Sequence, residues 1–283
     1  MSIAGTKVAV LSHANDAWGS AAYMMPLLLD AWRQEGVLTE ELHGIDKYIP
    51  ADVLILHIDL TVDPQDYLVF CKRYPVVING RIADISKHRV STGIITSPDS
   101  YDGQVIVKTN LNFGGIPERR TSKATKLGRM AGKVRRRLPW TWTGILSPYS
   151  YPIYSTPRLI PRIVWHNRNL IVEKFLPERE GEYYCLRQWI FLGDKEINVR
   201  GLSTHPIIKA SNIIHREIIE SVPDRLRTLR KELGFDYGKF DYAMVDGDVF
   251  LYDVNKTFSI SPQSTLRNIV VEELKQGLTS FLS

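Results

Sequence analysis

Two carboxylates and a carboxamide, Asp241, Asp253 and Asn255, stand in the stretch Asp241-Tyr-Ala-Met-Val-Asp-Gly-Asp-Val-Phe-Leu-Tyr-Asp253-Val-Asn255, on what read as two adjacent strands. Such a set suits a hard cation, because Mg²⁺ takes oxygen ligands, holds few protein side chains at once and shares them with phosphate groups. Asp253 and Asn255 are two apart on a strand pattern and point to one face. Register constrains Asp241. A strict two-residue turn at Asp246-Gly247 would set Asp241 opposite Tyr252 and put Asp253 on the other face. A three-residue loop over Asp246, Gly247 and Asp248, or one bulge elsewhere, sets Asp241 opposite Asp253. The sequence therefore predicts an odd loop or a bulge. A surface hairpin with solvated acids is the competing reading, and the short motif alone does not choose between them.

A second chemical signal precedes it. Val105-Ile-Val-Lys108 reads as a short strand ending in lysine and followed by Asn110, Asn112, Gly114 and Gly115. Glycine lets backbone amides approach a phosphate and lysine adds a point charge. A solvated strand end is the plain alternative.

The elements that must position these residues follow from periodicity. Lys7–Leu11, Ala51–Ile58 and Pro75–Ile78 read as buried strands, with helices over Ala21–Trp32 and Gln65–Arg73 between them. Alternating strands and helices predict a parallel α/β unit. Ligands bind beyond the carboxyl ends of such strands, which singles out Ser12 to Gly19, His57, Asp59 and Asn79 to Arg81. A strand at Leu170–Glu173 and a strand pair around Tyr183–Phe191 and Ile197–Leu202 follow, the pair carrying Arg187 and Arg200. Helices over Asp224–Leu233 and Val270–Leu282 complete the pattern.

Composition bounds the function classes. The chain has 283 residues, 44% apolar and 24% charged, ordinary for a globular protein. No window resembles a membrane span and the start lacks a signal-peptide pattern, so a cytoplasmic location is the default expectation. Cys71 and Cys185 lack metal-ligand spacing. The net charge of +5 is local: nine Lys or Arg and no acid lie between Arg119 and Arg137, and the remainder is slightly acidic. A solvated helical face or loop is the favoured reading of that segment. Contact with an anionic membrane surface through 119–137, with Leu127, Met130 and Val134 as an apolar stripe, is a disfavoured alternative. Nucleic acid is not an expected partner, since Trp140, Trp142 and Tyr149 lie beyond the charge run in no known reading module.

In order and spacing these residues resemble the ATP-grasp superfamily, and are closest in pattern to its carboxylate-amine ligases, such as the ribosomal-protein glutamate ligases and the D-alanine ligases. The resemblance runs from about Val76 to Thr257. Lys87 and Lys108 resemble the family's two phosphate-facing lysines. Glu173-Lys174-Phe175-Leu176 resembles the hinge that meets adenine, and Glu180, with Glu182 as competitor, the acid that meets the ribose. Arg187 and Arg200 resemble the arginines that meet the transferred phosphoryl group, and Asp241, Asp253 and Asn255 the metal ligands. Three departures stand out. Asp253 replaces the usual glutamate, the loop after Lys108 has only two glycines, and Lys87 and Lys108 are unusually close.

The resemblance implies an α/β fold, α+β in the ATP-binding part, with a Rossmann-like pre-ATP-grasp domain over 1–80. A small ATP-binding subdomain over 81–175, including the basic segment, and a carboxy-terminal subdomain with the metal site over 176–283 would follow. It implies ATP with Mg²⁺, or Mn²⁺, as cofactors and ADP-forming ligation of a small-molecule or peptide carboxylate to an amine through an acyl-phosphate. The alternatives are an ATP-grasp-type small-molecule kinase and a non-catalytic nucleotide-binding protein.

Overall fold

Short apolar runs bounded by turns build the first of three sheets. β1 (Lys7–Ser12), β2 (Leu38–His43), β3 (Val53–Leu56) and β4 (Val76–Ile78) pair in parallel in the order β2-β1-β3-β4. The computed structural model describes residues 3–19, 22–121, 138–147 and 150–282. The apolar stripe expected in the basic segment therefore lies outside the described residues, as does Tyr149. Every side chain of β3 is buried, as expected for a central parallel strand covered on both faces. β2 does not show in the sequence pattern: its residues, LTEELH, bury only Leu42 fully.

The second sheet is antiparallel. It contains β5 (Ile94–Ile95), β6 (Val105–Thr109), β7 (Ile153–Tyr154) and β8 (Leu170–Lys174), ordered β5-β8-β6-β7. The third comprises β9 (Glu178–Glu180), β10 (Tyr183–Leu192), β11 (Lys195–Ser203), β12 (His215–Ile218), β13 (Tyr237–Val245) and β14 (Asp248–Asn255). Its order is β12-β11-β10-β13-β14, with β9 pairing the start of β10. Among the described residues no helix is long and apolar enough to cross a membrane.

The first and third sheets share a core. Val8, Leu28 and Trp32 from the amino-terminal part pack in one apolar cluster with Ile190, Tyr237, Val270 and Leu274 from the carboxy-terminal part. The helix Leu266–Lys275 lies against the helix Met25–Gln34, and Trp32 Nε1 donates to Lys275 O at 2.7 Å.

Asn79, at the end of β4, knots the same junction with polar groups. Its Oδ1 accepts from the amides of Asp236 and Tyr237, each at 3.0 Å, and its Nδ2 donates to Tyr237 O at 2.8 Å. Its own amide donates to Asp236 Oδ2 at 2.8 Å. The residue is fully buried with φ of 63°, a left-handed conformation that asparagine tolerates better than most residues. Asn79→Ala would strip the partner from two amides and add backbone strain. The expected loss is about 3 kcal/mol, read as a lower urea midpoint at unchanged slope; an unchanged midpoint would refute this account of the junction.

Candidate active site

The β13–β14 hairpin sets the geometry. Asp246 and Gly247 form a two-residue turn with φ of 53° and 85° and Val245 opposite Asp248, the positive-φ pair of a type I′ hairpin. The expected irregularity lies further along the ladder. Tyr242 faces Leu251 while Asp241 faces Asp253, leaving Tyr252 as the extra residue of a bulge. Parity then puts Lys239, Asp241, Asp253 and Asn255 on one face. Phe240, Tyr242, Leu251 and Val254 fall on the other, in an apolar core.

A cavity of about 430 Å³ opens over the polar face. β14 spans it from the hinge to the first sheet. The Tyr252 hydroxyl donates to Leu176 O at 2.5 Å, and five residues on, Thr257 Oγ1 donates to Asp59 Oδ1 at 2.9 Å. Lys87, Lys108, Lys174, Phe175, Leu176, Asp241, Asp253 and Asn255 all line this cavity, so most of the residues singled out in the sequence come together. Lys209, Tyr252, Tyr23 and Thr257 line it as well.

Asp253, Asp241 and Glu173 each carry an ammonium partner. Lys87 Nζ lies 3.1 Å from Asp253, Lys239 Nζ 3.0 Å from Asp241 and Lys108 Nζ 3.0 Å from Glu173. Gln188 Nε2 also donates to Asp241 at 2.9 Å, and Asn255 Oδ1 accepts from Thr257 N at 2.8 Å. Burial acts to lower the Lys87 ammonium, but Asp253, together with Tyr151 and Glu173, outweighs it and holds Lys87 above the ordinary lysine value. Lys209 is pushed the other way, first by burial and then by the charges of Lys108 and Lys87, against Asp253 and Asp241. Lys87, Lys108, Lys174 and Lys209 thus share one small volume, whose positive charge suits a polyanion.

Glu173 sits behind Lys108, 1% exposed. Burial pushes its carboxyl upward against the pull of Lys108. Neither of its oxygens accepts a well-oriented hydrogen bond among the described residues. Glu173 itself does not line the cavity, and of the expected hinge residues it is Lys174, Phe175 and Leu176 that a ligand there would meet. The oxygen donors Asp241, Asp253 and Asn255, side by side on one face, fit a hard divalent cation whose coordination phosphates complete.

Arg187, Arg200 and Glu180 do not line the cavity, and strand parity explains the two arginines. Gln188 pairs directly with Asp241 and shares its face, so its neighbour Arg187 falls on the face of Tyr242. Arg200, directly opposite Arg187, falls there too. Arg187 instead forks onto Glu178 at 2.7 to 3.0 Å, which also accepts from Met244 N at 2.8 Å. Arg200 is held by Glu217 and by Glu180, the latter at 2.5 Å. The exposed Glu180 is thereby committed to a surface ion pair, and Glu182 is exposed and outside the lining as well.

The whole fold has solved counterparts. An ATP-grasp ligase, PsnB, solved with a minimal precursor, Mg and ADP, matches at TM-score 0.53 and 9% identity, covering 98% of this chain and 98% of that one. A D-alanine–D-alanine ligase from Bacillus anthracis matches at TM-score 0.51 and 15% identity over 98% and 96% of the two chains. A RimK-domain ATP-grasp protein from Sphaerobacter thermophilus matches at TM-score 0.51 and 10% identity over 98% and 99%. No protein-family model and no curated protein sequence matches the chain. The chain has the ATP-grasp fold.

Proposed function

We propose that this ATP-grasp protein joins a carboxylate to an amine in an ATP-dependent reaction that passes through an acyl-phosphate and releases ADP and phosphate. The observation that carries the reading is one cavity that collects four lysines and a face bearing Asp241, Asp253 and Asn255. Its likeness in fold to ligases, one of them solved with Mg and ADP, supports the same reading.

A carboxylate is a poor electrophile because its leaving group would be oxide; phosphorylation substitutes phosphate. Phosphoryl transfer needs positioning and charge neutralisation more than covalent protein groups. In this assignment the Lys174–Leu176 backbone holds the base, and Lys108 and Lys87 hold α- and β-phosphates. Asp241, Asp253 and Asn255 would hold Mg²⁺, which when bound neutralises charge on the transferring group. Lys209, on the cavity wall, takes the charge-stabilising role first assigned to Arg187 and Arg200. The ammonium partners make nucleotide entry an exchange: Lys87 and Lys239 release Asp253 and Asp241 to the cation, and Lys87 turns to phosphate.

The test is ADP release by the full chain in a screen of small carboxylates with hydroxylamine as a general nucleophile, followed by mass spectrometry of the product. Lys108→Met is expected to raise KM for ATP by about 10- to 100-fold, the worth of a charge-assisted hydrogen bond. The fold should tolerate it, because Glu173 can take a proton when its ammonium partner is removed. Absence of ADP release across the screen, or an unaltered KM in Lys108→Met, would count against the reading.

A further inference from the structure

The cavity is electrically polarised, with lysines gathered at one end and carboxylates at the other. At the phosphate end the lysines repel one another. At the other end, where the loop after β3 reaches the site, Glu118 acts on Asp59 and Asp59 on Asp16, and the Arg120 guanidinium acts on both Asp59 and Asp16. Lys256, which also approaches, is in direct contact with Asp63. His57 is fully buried between Trp18 and Tyr23, and burial pushes it down to about 3, so it adds no positive charge.

Asp59 lines the cavity and is held by neutral donors only: Tyr23 Oη at 3.0 Å, Thr257 Oγ1 at 2.9 Å and Asn112 Nδ2 at 3.5 Å. Asp16 lies near enough to act on Tyr23, and its Oδ1 is buried without a hydrogen-bond partner among the described residues. Burial, with Glu118 nearby, raises the Asp59 carboxyl above its ordinary value, against Thr257, Tyr23 and Arg120. Among the described residues Asp59 forms no ion pair, Arg120 acting on it only from beyond contact distance, and a carboxylate so placed in a cavity wall is relieved by a ligand that brings a cation. The group is also well placed: Thr257 Oγ1, which contacts Asp59, lies 3.2 Å from Asn255 Oδ1 on the metal-ligand face.

We propose that Asp59, backed by Tyr23 and Asp16, is the acceptor-amine subsite, which takes the substrate as a primary ammonium ion and holds its nitrogen beside the acyl-phosphate. The assignment rests on the ligase reading for its chemistry, though not for its binding. The ammonium gives one proton to Asp59 and the freed nitrogen lone pair attacks the acyl carbon. The C–N bond forms as the C–O bond to phosphate breaks with its electron pair. The second nitrogen proton leaves with phosphate, and Asp59 returns its own to solvent.

ADP release by the full chain is measured with the carboxylate pool and one of two nucleophiles. These are hydroxylamine, uncharged near neutral pH, and a pool of primary alkylamines, diamines and amino acids, which are cations. In Asp59→Asn the ratio of amine-dependent to hydroxylamine-dependent rate is expected to fall about 50-fold through KM for the amine, the order expected when one partner of a desolvated charge pair is lost. Tyr23→Phe should lower the same ratio by roughly 5-fold, as for one lost hydrogen bond. An unchanged ratio in Asp59→Asn overturns the assignment. A thermal shift with ethylenediamine reads binding apart from turnover. A rise in Tm confined to the wild type supports the ammonium subsite, and if no nucleophile gives ADP release it leaves the subsite standing while sinking the ligase reading. A rise that survives in Asp59→Asn, or none in the wild type, overturns the subsite.

Discussion

Asp253→Asn is expected to lower ATP turnover by about three orders of magnitude, the scale of losing a group that stabilises transition-state charge. Asparagine keeps the shape and one oxygen donor but removes half of the negative charge that Asp241 and Asp253 offer a divalent cation. The structure adds a second consequence. Lys87 is 4% exposed and its ammonium rests on Asp253, so the variant leaves a buried cation with no carboxylate. Asp253 is itself one-third exposed, which reduces the cost to roughly 1 to 2 kcal/mol.

The sign of the pH dependence separates the two effects. In the wild type Asp253 raises Lys87, so that stability is fully present below the ordinary lysine value and is lost only as pH rises through the higher folded value. In Asp253→Asn burial is left to lower Lys87 against Tyr151 and Glu173 alone, and stability then rises as the lysine loses its proton. The gap in Tm between the two proteins should therefore narrow as pH is raised toward the lysine range. Adding Lys87→Met to Asp253→Asn should restore Tm without restoring turnover. Turnover within tenfold of wild type in Asp253→Asn would sink the metal assignment.

The polar face of the β13–β14 hairpin was legible because strand periodicity and the spacing of Asp241, Asp253 and Asn255 allow few registers, and the bulge at Tyr252 is the solution they require. Lys239 stands in the same pattern, two residues before Asp241 on one strand, but an ammonium is no ligand for a cation and its pairing with Asp241 shows only in the folded chain. Arg187 and Arg200 show the limit of order and spacing. Which face they occupy depends on the pairing of Gln188 with Asp241, a contact across 53 residues that no local pattern encodes. β2 does not show in the sequence because an edge strand with exposed Leu38, Glu40, Glu41 and His43 has neither an apolar run nor alternation. Asp59 could be placed at a strand end from sequence, but its entry into the cavity depends on Thr257, 198 residues away.

That long-range closure rests on a buried charge pair, and Lys256→Met is expected to destabilise the protein by about 3 to 5 kcal/mol, as when one partner of a buried ion pair is removed. Lys256 lies between Asn255 and Thr257 but turns to the opposite side, onto Asp63 beyond β3, and both side chains are wholly inaccessible. Asp63 Oδ2 has no other partner among the described residues. Burial raises the Asp63 carboxyl and Lys256 pulls it back. Without the lysine, folding favours the protonated acid. Stability is then lost as pH rises above the ordinary carboxylate range, so the deficit in urea midpoint should be smaller at acid pH than at neutral pH. The double variant Lys256→Met with Asp63→Leu replaces the pair by apolar volume and should recover most of the loss. If the pair also fixes the direction in which Asn255 and Thr257 leave β14, the double variant will regain stability yet bind ATP and Mg²⁺ less tightly than the wild type. Equal midpoints for wild type and Lys256→Met at neutral pH would show that this pair does not hold the metal strand to the first sheet.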